Sequence, residues 1–334
     1  MKHGIYSIVG QFFEKSFREE FTRFGLPEKY YLSFWIKFIW DFSIYGASVE
    51  DFFVYKFYEK KHYCKSNYVT LRNSIWMIHV LNKNGRRELV EDKTIFIKEF
   101  KDYISREALD STKMNYQNLE EFIEKYGKAI AKPAGGFNGN GIFIIDKENV
   151  QQSYNIIKKN KFVVEEVLQQ DGILRKLNPK TVNTIRVNVI NKGGGKVCIV
   201  NAILRSGQGD SVTDNICAGG IVAEVDIKTG IVFTCFYDLN GKCCIKHPLT
   251  GTVMLGEKIP VWENVKNTAI ECAKRIDNVV YTSWDIAVIS GNKVAVIEGN
   301  TSGNFNIQQV ARKEGIKYLY RKKLKEFSSK KYHF

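Results

Sequence analysis

Residues 283–303 of the 334-residue chain read Ser-Trp-Asp-Ile-Ala-Val-Ile-Ser-Gly-Asn-Lys-Val-Ala-Val-Ile-Glu-Gly-Asn-Thr-Ser-Gly, and no other stretch constrains the fold as much. Two β-rich runs flank Gly291-Asn292, a dipeptide suited to a two-residue hairpin turn with positive φ. With that turn, Ser290 pairs with Lys293 and Ile289 with Val294. Asp285 then falls opposite Glu298, and Asn300 shares their face two residues on. That face continues through Ala287, Ile289, Val294 and Val296, while Ile286, Val288, Ala295 and Ile297 form the other. Both faces are apolar, so the hairpin is expected to be buried. Directly paired residues have Cβ atoms about 4.5–5.5 Å apart, where like charges repel. Two buried carboxylates at that spacing call for a cation or a shared proton. An oxygen-only set of Asp, Glu and an Asn amide suits Mg2+. On these residues alone a second reading stays open, in which the acids sit at a wet sheet end and pair with Lys or Arg.

Upstream, Lys128–Pro133 reads as a strand, Ala134–Gly141 (Ala-Gly-Gly-Phe-Asn-Gly-Asn-Gly) as a glycine-rich loop, and Ile142–Ile145 as a second strand. Glycines let backbone N–H groups approach phosphate oxygens closely. A P-loop or dinucleotide-binding loop runs from strand into helix. This one joins two strands, and Gly136, Gly139 and Gly141 match neither spacing. Lys132, just before the loop, can reach phosphates beneath it; the bland alternative is a flexible hairpin tip. Lys161–Leu168 is a further strand, ending in acids and followed by a turn at Gln169–Gly172. In Thr184–Val189, the polar Thr184, Arg186 and Asn188 alternate with Ile185, Val187 and Val189, so one face is polar and the other meets the core. Arg186 offers a permanently charged fork for phosphate, unless that face is solvent-exposed. Strand Lys196–Leu204 leads into a polar, glycine-dense loop with Arg205, Asp214, Asn215, Gly219 and Gly220, the kind of connection where substrate contacts concentrate. His247 stands alone and reads as structural.

The chain is long enough for two or three subdomains and a large core. Residues 1–90 are rich in aromatics at helical spacing, with Phe12, Phe13, Phe17, Phe21 and Phe24 forming one stripe. Tyr30–Tyr45 is expected to be a buried amphipathic helix, too short to span a bilayer. A third helix follows Ser48. Beyond these, Asp92-Lys93 opens a helix and Tyr103-Ile104 looks like a brief strand. Leu119–Tyr126 and residues 147–160 look like helices, Ile221–Ile227 like a strand, and Trp262–Ile276 like an amphipathic helix leading to the hairpin.

Fifty Lys and Arg against 36 Asp and Glu give a net charge of +14. Nine of those cations lie in residues 311–334 against Glu314 and Glu326, so half the surplus is local. Such a segment suits an anionic membrane surface or an acidic sugar, or is a solvated terminal helix. No RNA-recognition, zinc-finger or helix-turn-helix pattern supports a nucleic-acid partner. Seven cysteines without C-x-x-C spacing, and no secretory signal at Met1–Phe13, point to a reducing cytoplasm rather than a disulfide framework or zinc.

The order of Lys93, Lys132 with its flap, Glu165-Glu166, Arg186, then Asp285 and Glu298-Gly299-Asn300 resembles the ATP-grasp superfamily over roughly residues 91–310. Leu177–Val187 (Leu-Asn-Pro-Lys-Thr-Val-Asn-Thr-Ile-Arg-Val), Ser211–Asn215 with Ala218-Gly219-Gly220, and Ser283–Ala287 are similar to its sugar-transfer-associated group from bacterial surface-polysaccharide biosynthesis. The resemblance implies an α+β fold in which two lobes with antiparallel sheets clasp ATP, preceded by a helical subdomain. Its expected divisions are a helical part over 1–90, an N-lobe over 91–168, a C-lobe over 169–310 and a basic tail over 311–334.

It further implies a cytoplasmic ligase that joins a carboxylate to an amine with ATP and Mg2+, through an acyl phosphate. By position, Lys93 and Lys132 hold phosphates beneath the flap glycines Gly136 and Gly139. Glu165 meets the adenine amino group, the backbone of Glu166 and Leu168 its edge, and Asp171 the ribose. Asp285, Glu298 and Asn300 hold the metal. Arg186 stabilises the transferring phosphoryl group, and Arg205, Asp214, Asn215, Gly219 and Gly220 meet the acceptor. The sequence departs from better-known ligases in having Ser283 two residues before the metal aspartate, where an arginine is usual, and Ser302-Gly303 in place of Pro-Gly. A sugar kinase on the same nucleotide site and a nucleotide-binding scaffold for glycosyltransferases are the competing readings.

Overall fold

The computed structural model describes residues 2–135, 141–209, 213–276, 278–302 and 305–327, with side chains from residue 13 to 325. The aromatic stripe builds the first layer. Helices α1 (Lys2–Arg23), α2 (Tyr31–Tyr45) and α3 (Val49–Val54) pack around Phe17, whose ring lies 4.9 Å from both Trp35 and Phe53 and 5.4 Å from Phe38. A capping box starts α3, with Ser48 Oγ accepting from Asp51 N and Asp51 Oδ2 from Ser48 N, which satisfies donors the first helical turn leaves unpaired. Helix α2 is not buried as expected. Phe38, Asp41 and Tyr45 face inward, but Leu32, Ile36 and Trp40 point to solvent. Short helices α4 (His62–Lys65), α5 (Leu71–Leu81), α6 (Glu88–Glu91) and α7 (Lys93–Glu99) follow, the last capped by Asp92. Tyr103-Ile104 closes another helix, α8 (Lys101–Ile104), and the strand expected there comes four residues later.

A four-stranded antiparallel sheet contains β1 (Ala108–Asp110), β2 (Ala129–Pro133), β3 (Phe143–Ile145) and β4 (Phe162–Glu166), ordered β1-β4-β2-β3. Helices α9 (Tyr116–Tyr126) and α10 (Val150–Ile157) cover one face through Ala129, Ala131, Phe162 and Val164. Strand alternation turns Ile130, Lys132 and Glu165 to the other face. The expected turn at Gln169–Gly172 runs directly into a further helix, α11 (Gly172–Leu177).

The second sheet has seven strands: β5 (Thr184–Asn191), β6 (Val197–Ser206), β7 (Ile221–Val225), β8 (Phe236–Tyr237), β9 (Cys243–Cys244), β10 (Tyr281–Ile289) and β11 (Lys293–Asn300). Its order is β11-β10-β5-β6-β7-β8-β9, with neighbours antiparallel. Helix α12 (Trp262–Lys274) packs Val265, Ala269 and Cys272 against Ile185, Val187 and Val189 on one face. Helix α13 (Phe305–Arg312) and the aromatic layer cover part of the other, through Ile203 and Val222. Helix α14 (Lys317–Phe327) closes the described chain.

The hairpin pairs Asp285 with Glu298, as the alternation predicts, by a different route. Ile289 pairs with Lys293 around a three-residue loop, with positive φ at Gly291 and Asn292, and a bulge between Asp285 and Ile286 restores the register. The bulge exchanges the expected faces of the turn half of β11. Val296 joins the core with Ile286 and Val288, while Ala295 and Ile297 turn toward Leu168 and Val182. An extra residue in one strand moves its neighbours to the opposite side.

Candidate active site

A cavity of about 410 Å3 lies between the two sheets. Strands β2 and β4 form one wall. Lys132 Nζ donates to Glu165 Oε2, and Arg106 Nη2 donates to Glu165 Oε1 at 2.9 Å. Burial opposes the charge on Glu165, but these two cations outweigh it and hold the carboxyl down at about 2. Arg106 also donates to the carbonyls of Val296 at 2.7 Å and Ile297 at 3.2 Å, so one guanidinium bridges the two sheets. Lys93 at the start of α7 lines the same wall, and burial lowers its pKa.

Strands β5, β6, β10 and β11 form the other wall. Asp285 is directly opposite Arg186 in the β5–β10 register, and Arg186 donates to it twice, Nε to Oδ1 and Nη2 to Oδ2, each at 2.7 Å. Arg205 Nη1 also donates to Asp285 Oδ2, and its Nη2 stands 2.8 Å from Asp214 Oδ1. Asp214 Oδ2 accepts from Thr184 N at 3.0 Å and from Thr184 Oγ1. Burial opposes ionisation of Asp285, yet the two guanidiniums hold its carboxyl well below the usual range. Glu298 differs. Its contact with Arg186 is 3.8 Å, and desolvation within the cavity, followed by the charge of Asp285, raises its pKa. Asn300 Nδ2 reaches Glu298 Oε1 at 3.4 Å.

The profile of the sugar-transfer associated ATP-grasp family matches residues 58–325, most of the chain. The chain belongs to that family. Three solved structures overlap this ATP-grasp chain in part. One is the ATP-grasp ligase PsnB complexed with minimal precursor, Mg and ADP (14% identity, 77% of this chain and 68% of that chain, TM-score 0.46). Another is D-cycloserine synthetase DcsG (8% identity, 72% and 71%, TM-score 0.46). The third is D-alanyl-alanine synthetase A from Vibrio cholerae O1 biovar eltor str. N16961 (10% identity, 70% and 62%, TM-score 0.45). The chain spans between 57% and 68% of the length of the PsnB structures it matches. Among curated proteins no match is found.

The ATP-grasp cavity gathers most of the residues singled out from the sequence: Lys93, Lys132, Glu165, Glu166, Leu168, Arg186, Arg205, Asp214, Asn215, Asp285, Glu298 and Asn300 all line it. Asp171 does not; its Oδ2 accepts from Gly291 N at 3.3 Å, tying the hairpin loop to the start of α11. Gly219 and Gly220 are also outside the lining. Gly220 packs so closely that a Cβ would lie 2.7 Å from Asp214 O, which holds the Asp214-Asn215 loop in shape. Gly136, Gly139, Ser211 and Gly303 lie outside the described residues. His247 lies outside the lining, buried against Ser206 Oγ and Gly207 O. Arg106 is not marked by any sequence pattern. It lies between a helix and a short strand, with no alternation or glycine pattern to mark it.

The oxygen set on β10 and β11 fits a hard divalent cation in part. Glu298 and Asn300 face the cavity with donor oxygens, whereas Asp285 has both oxygens committed to guanidiniums. Among the described residues, no group of three His, Cys, Asp or Glu is arranged to hold a metal unaided. Among the described residues, Arg205 Nε is buried without an acceptor and Ser283 Oγ without a partner.

Proposed function

We propose that this chain is an ATP- and Mg2+-dependent ligase that joins a carboxylate to an amine through an acyl phosphate. The observation that carries this reading is the pairing of a cation-rich wall (Lys93, Lys132, Arg106) with an acid-rich wall (Asp214, Asp285, Glu298) across one cavity. A polyphosphate suits the first and a phosphate-bound cation the second, and positioning with charge neutralisation is most of what phosphoryl transfer requires. Glu298 and Asn300 would hold Mg2+, which when bound neutralises charge on the phosphate oxygens. Lys93 and Lys132 orient the phosphates. Arg186 and Arg205 turn from Asp285 to the entering anions, and Asp285 is then released toward the metal side. The substrate carboxylate attacks the terminal phosphorus and ADP departs. The amine then attacks the acyl carbon, and inorganic phosphate leaves with the proton that the amine gives up. The Asp214-Asn215 loop, beside Arg205, frames the acceptor. A sugar acid or amino acid in surface-polysaccharide assembly, handled on the cytoplasmic side and near an anionic membrane, fits the family and the +14 charge.

The test is ADP release from uronic acids and amino acids offered singly and in pairs. Ligation needs both partners. Release with a single hydroxyl acceptor would make the chain a kinase, and no release with any pair would leave a nucleotide-binding scaffold. Glu298→Gln is the clean variant, since Glu298 is only loosely tied to its neighbours. It should stay folded and lose Mg2+-dependent turnover, and full activity in it would sink the metal assignment.

A further inference from the structure

Glu91 lines the cavity and is not used by the proposed reaction. It is the last residue of α6, two before Lys93, and two contacts fix it against the end of β11. Val90 packs so closely on Gly299 that a Cβ there would lie 2.5 Å from Val90 Cγ1, so a glycine between Glu298 and Asn300 is what lets α6 approach. Thr301 Oγ1 then donates to Glu91 Oε1. Thr301 is itself held, since Asn82 Nδ2 donates to its carbonyl and to that of Tyr281, each at 2.8 Å.

The Glu91 carboxylate is gripped on one side. Arg87 Nε and Nη2 reach Oε1 at 3.0 and 2.7 Å, the same atom that accepts from Thr301. Arg87 is outside the cavity lining, and among the described residues none of these donors falls on Oε2. An ionised carboxylate is an acceptor at both oxygens, so the second oxygen is left for a ligand in the cavity. The other acids of the cavity are engaged elsewhere. Asp214, Glu165 and Asp285 accept on both oxygens. Glu166 ends β4 on the opposite wall, and Glu298 is the proposed cation ligand.

We infer that Glu91 Oε2 receives the amine substrate as its ammonium, so that the amine partner is a charged primary amine of the amino-acid or amino-sugar class. This rests on the proposed ligase reading and adds to it the seat and class of the amine. Glu91 is two residues from Lys93, proposed to orient phosphate, and touches Thr301, the residue after Asn300. An ammonium on Oε2 is therefore on the side of the cavity where the acyl phosphate would form, and holding the two reactants together removes much of the barrier. A charge-assisted hydrogen bond selects the protonated amine over a neutral one. The bound ammonium yields one proton to solvent to become the nucleophile, and the second leaves with inorganic phosphate.

The test compares wild type with Glu91→Gln, using the uronic acid and amino acid that release most ADP in the paired screen, and hydroxylamine in place of the amino acid. Hydroxylamine is an uncharged nucleophile near neutral pH and traps acyl phosphates as hydroxamates, whereas the amino acid carries its proton there. The glutamine still accepts from Arg87 and Thr301, but the charge is gone. KM for the amino acid should rise about tenfold or more with a smaller change in kcat, and selectivity for the amino acid over hydroxylamine should fall by the same factor. Glu91→Asp keeps the charge and should recover part of that selectivity, and it carries the test if the glutamine variant fails to fold. Equal losses against both nucleophiles, or unchanged selectivity in both variants, overturn the ammonium seat alone and leave Glu91 as a fastening between α6 and β11. No ADP release by the wild type with any pair overturns the ligase reading, and this inference with it.

Discussion

On the small-sheet wall, Lys93, Lys132 and Arg106 stand with Glu165 and Glu166; on the large-sheet wall, Arg186 and Arg205 stand with Asp214, Asp285 and Glu298. Three cations with two acids leave +1, and two cations with three acids leave −1. Each surplus is too costly to keep buried without a counter-ion. The first wall is short of an anion and the second of a cation, and a metal-bound polyphosphate supplies both at once. The walls also differ in how the deficit is distributed. Glu165 is gripped on both oxygens, whereas the large-sheet wall saturates Asp285 and leaves the loose end at Glu298.

Removing Asp285 should have the largest effect. Asp285→Asn leaves two buried guanidiniums facing a neutral amide, and denaturant unfolding should show a loss on the order of 3–5 kcal/mol. A loss below about 1 kcal/mol would mean that water or Asp214 takes over and that the large-sheet wall is not a closed network. Acid titration probes the other wall. The Glu165 pKa is lowered on folding, so its ionised form adds stability above its ordinary pKa, and that share disappears as pH falls toward about 2. The wild type should lose on the order of 3 kcal/mol over that window beyond what Glu165→Gln loses. Parallel profiles for the two proteins would break the comparison. Lys93→Met should be smallest in stability, neutral or slightly stabilising, because it removes a buried cation beside Lys132. Nucleotide affinity should nonetheless fall about tenfold in calorimetry; unchanged affinity would show that the cationic surplus is not what receives phosphate.

Much of the large-sheet wall was legible in the sequence because alternation with period two carries side-chain direction. Arg186 and Asp285 followed from it, and both are where the pattern puts them. A two-residue turn predicts the Asp285–Glu298 pairing, and the pairing holds because the longer loop and the bulge cancel. Val294, Val296 and Ile297 expose the difference, since a bulge leaves no mark in hydropathy. Arg106 was illegible for a related reason: its four contacts are to Ile104, Val296, Ile297 and Glu165, three of them distant in sequence. In α2 the error ran the other way. Apolar residues read as core, yet Leu32, Ile36 and Trp40 are exposed.

The bulge at Ile297 has a mechanical consequence. In an unbroken ladder the carbonyls of adjacent residues point alternately to the two neighbouring strands. Here those of Val296 and Ile297 converge on one guanidinium, and the same guanidinium grips Glu165 across the cavity. The irregularity is thus a socket and Arg106 the pin seated in it. One side chain therefore fastens both walls of the cavity, and removing it would part β4 from β11 in a single step.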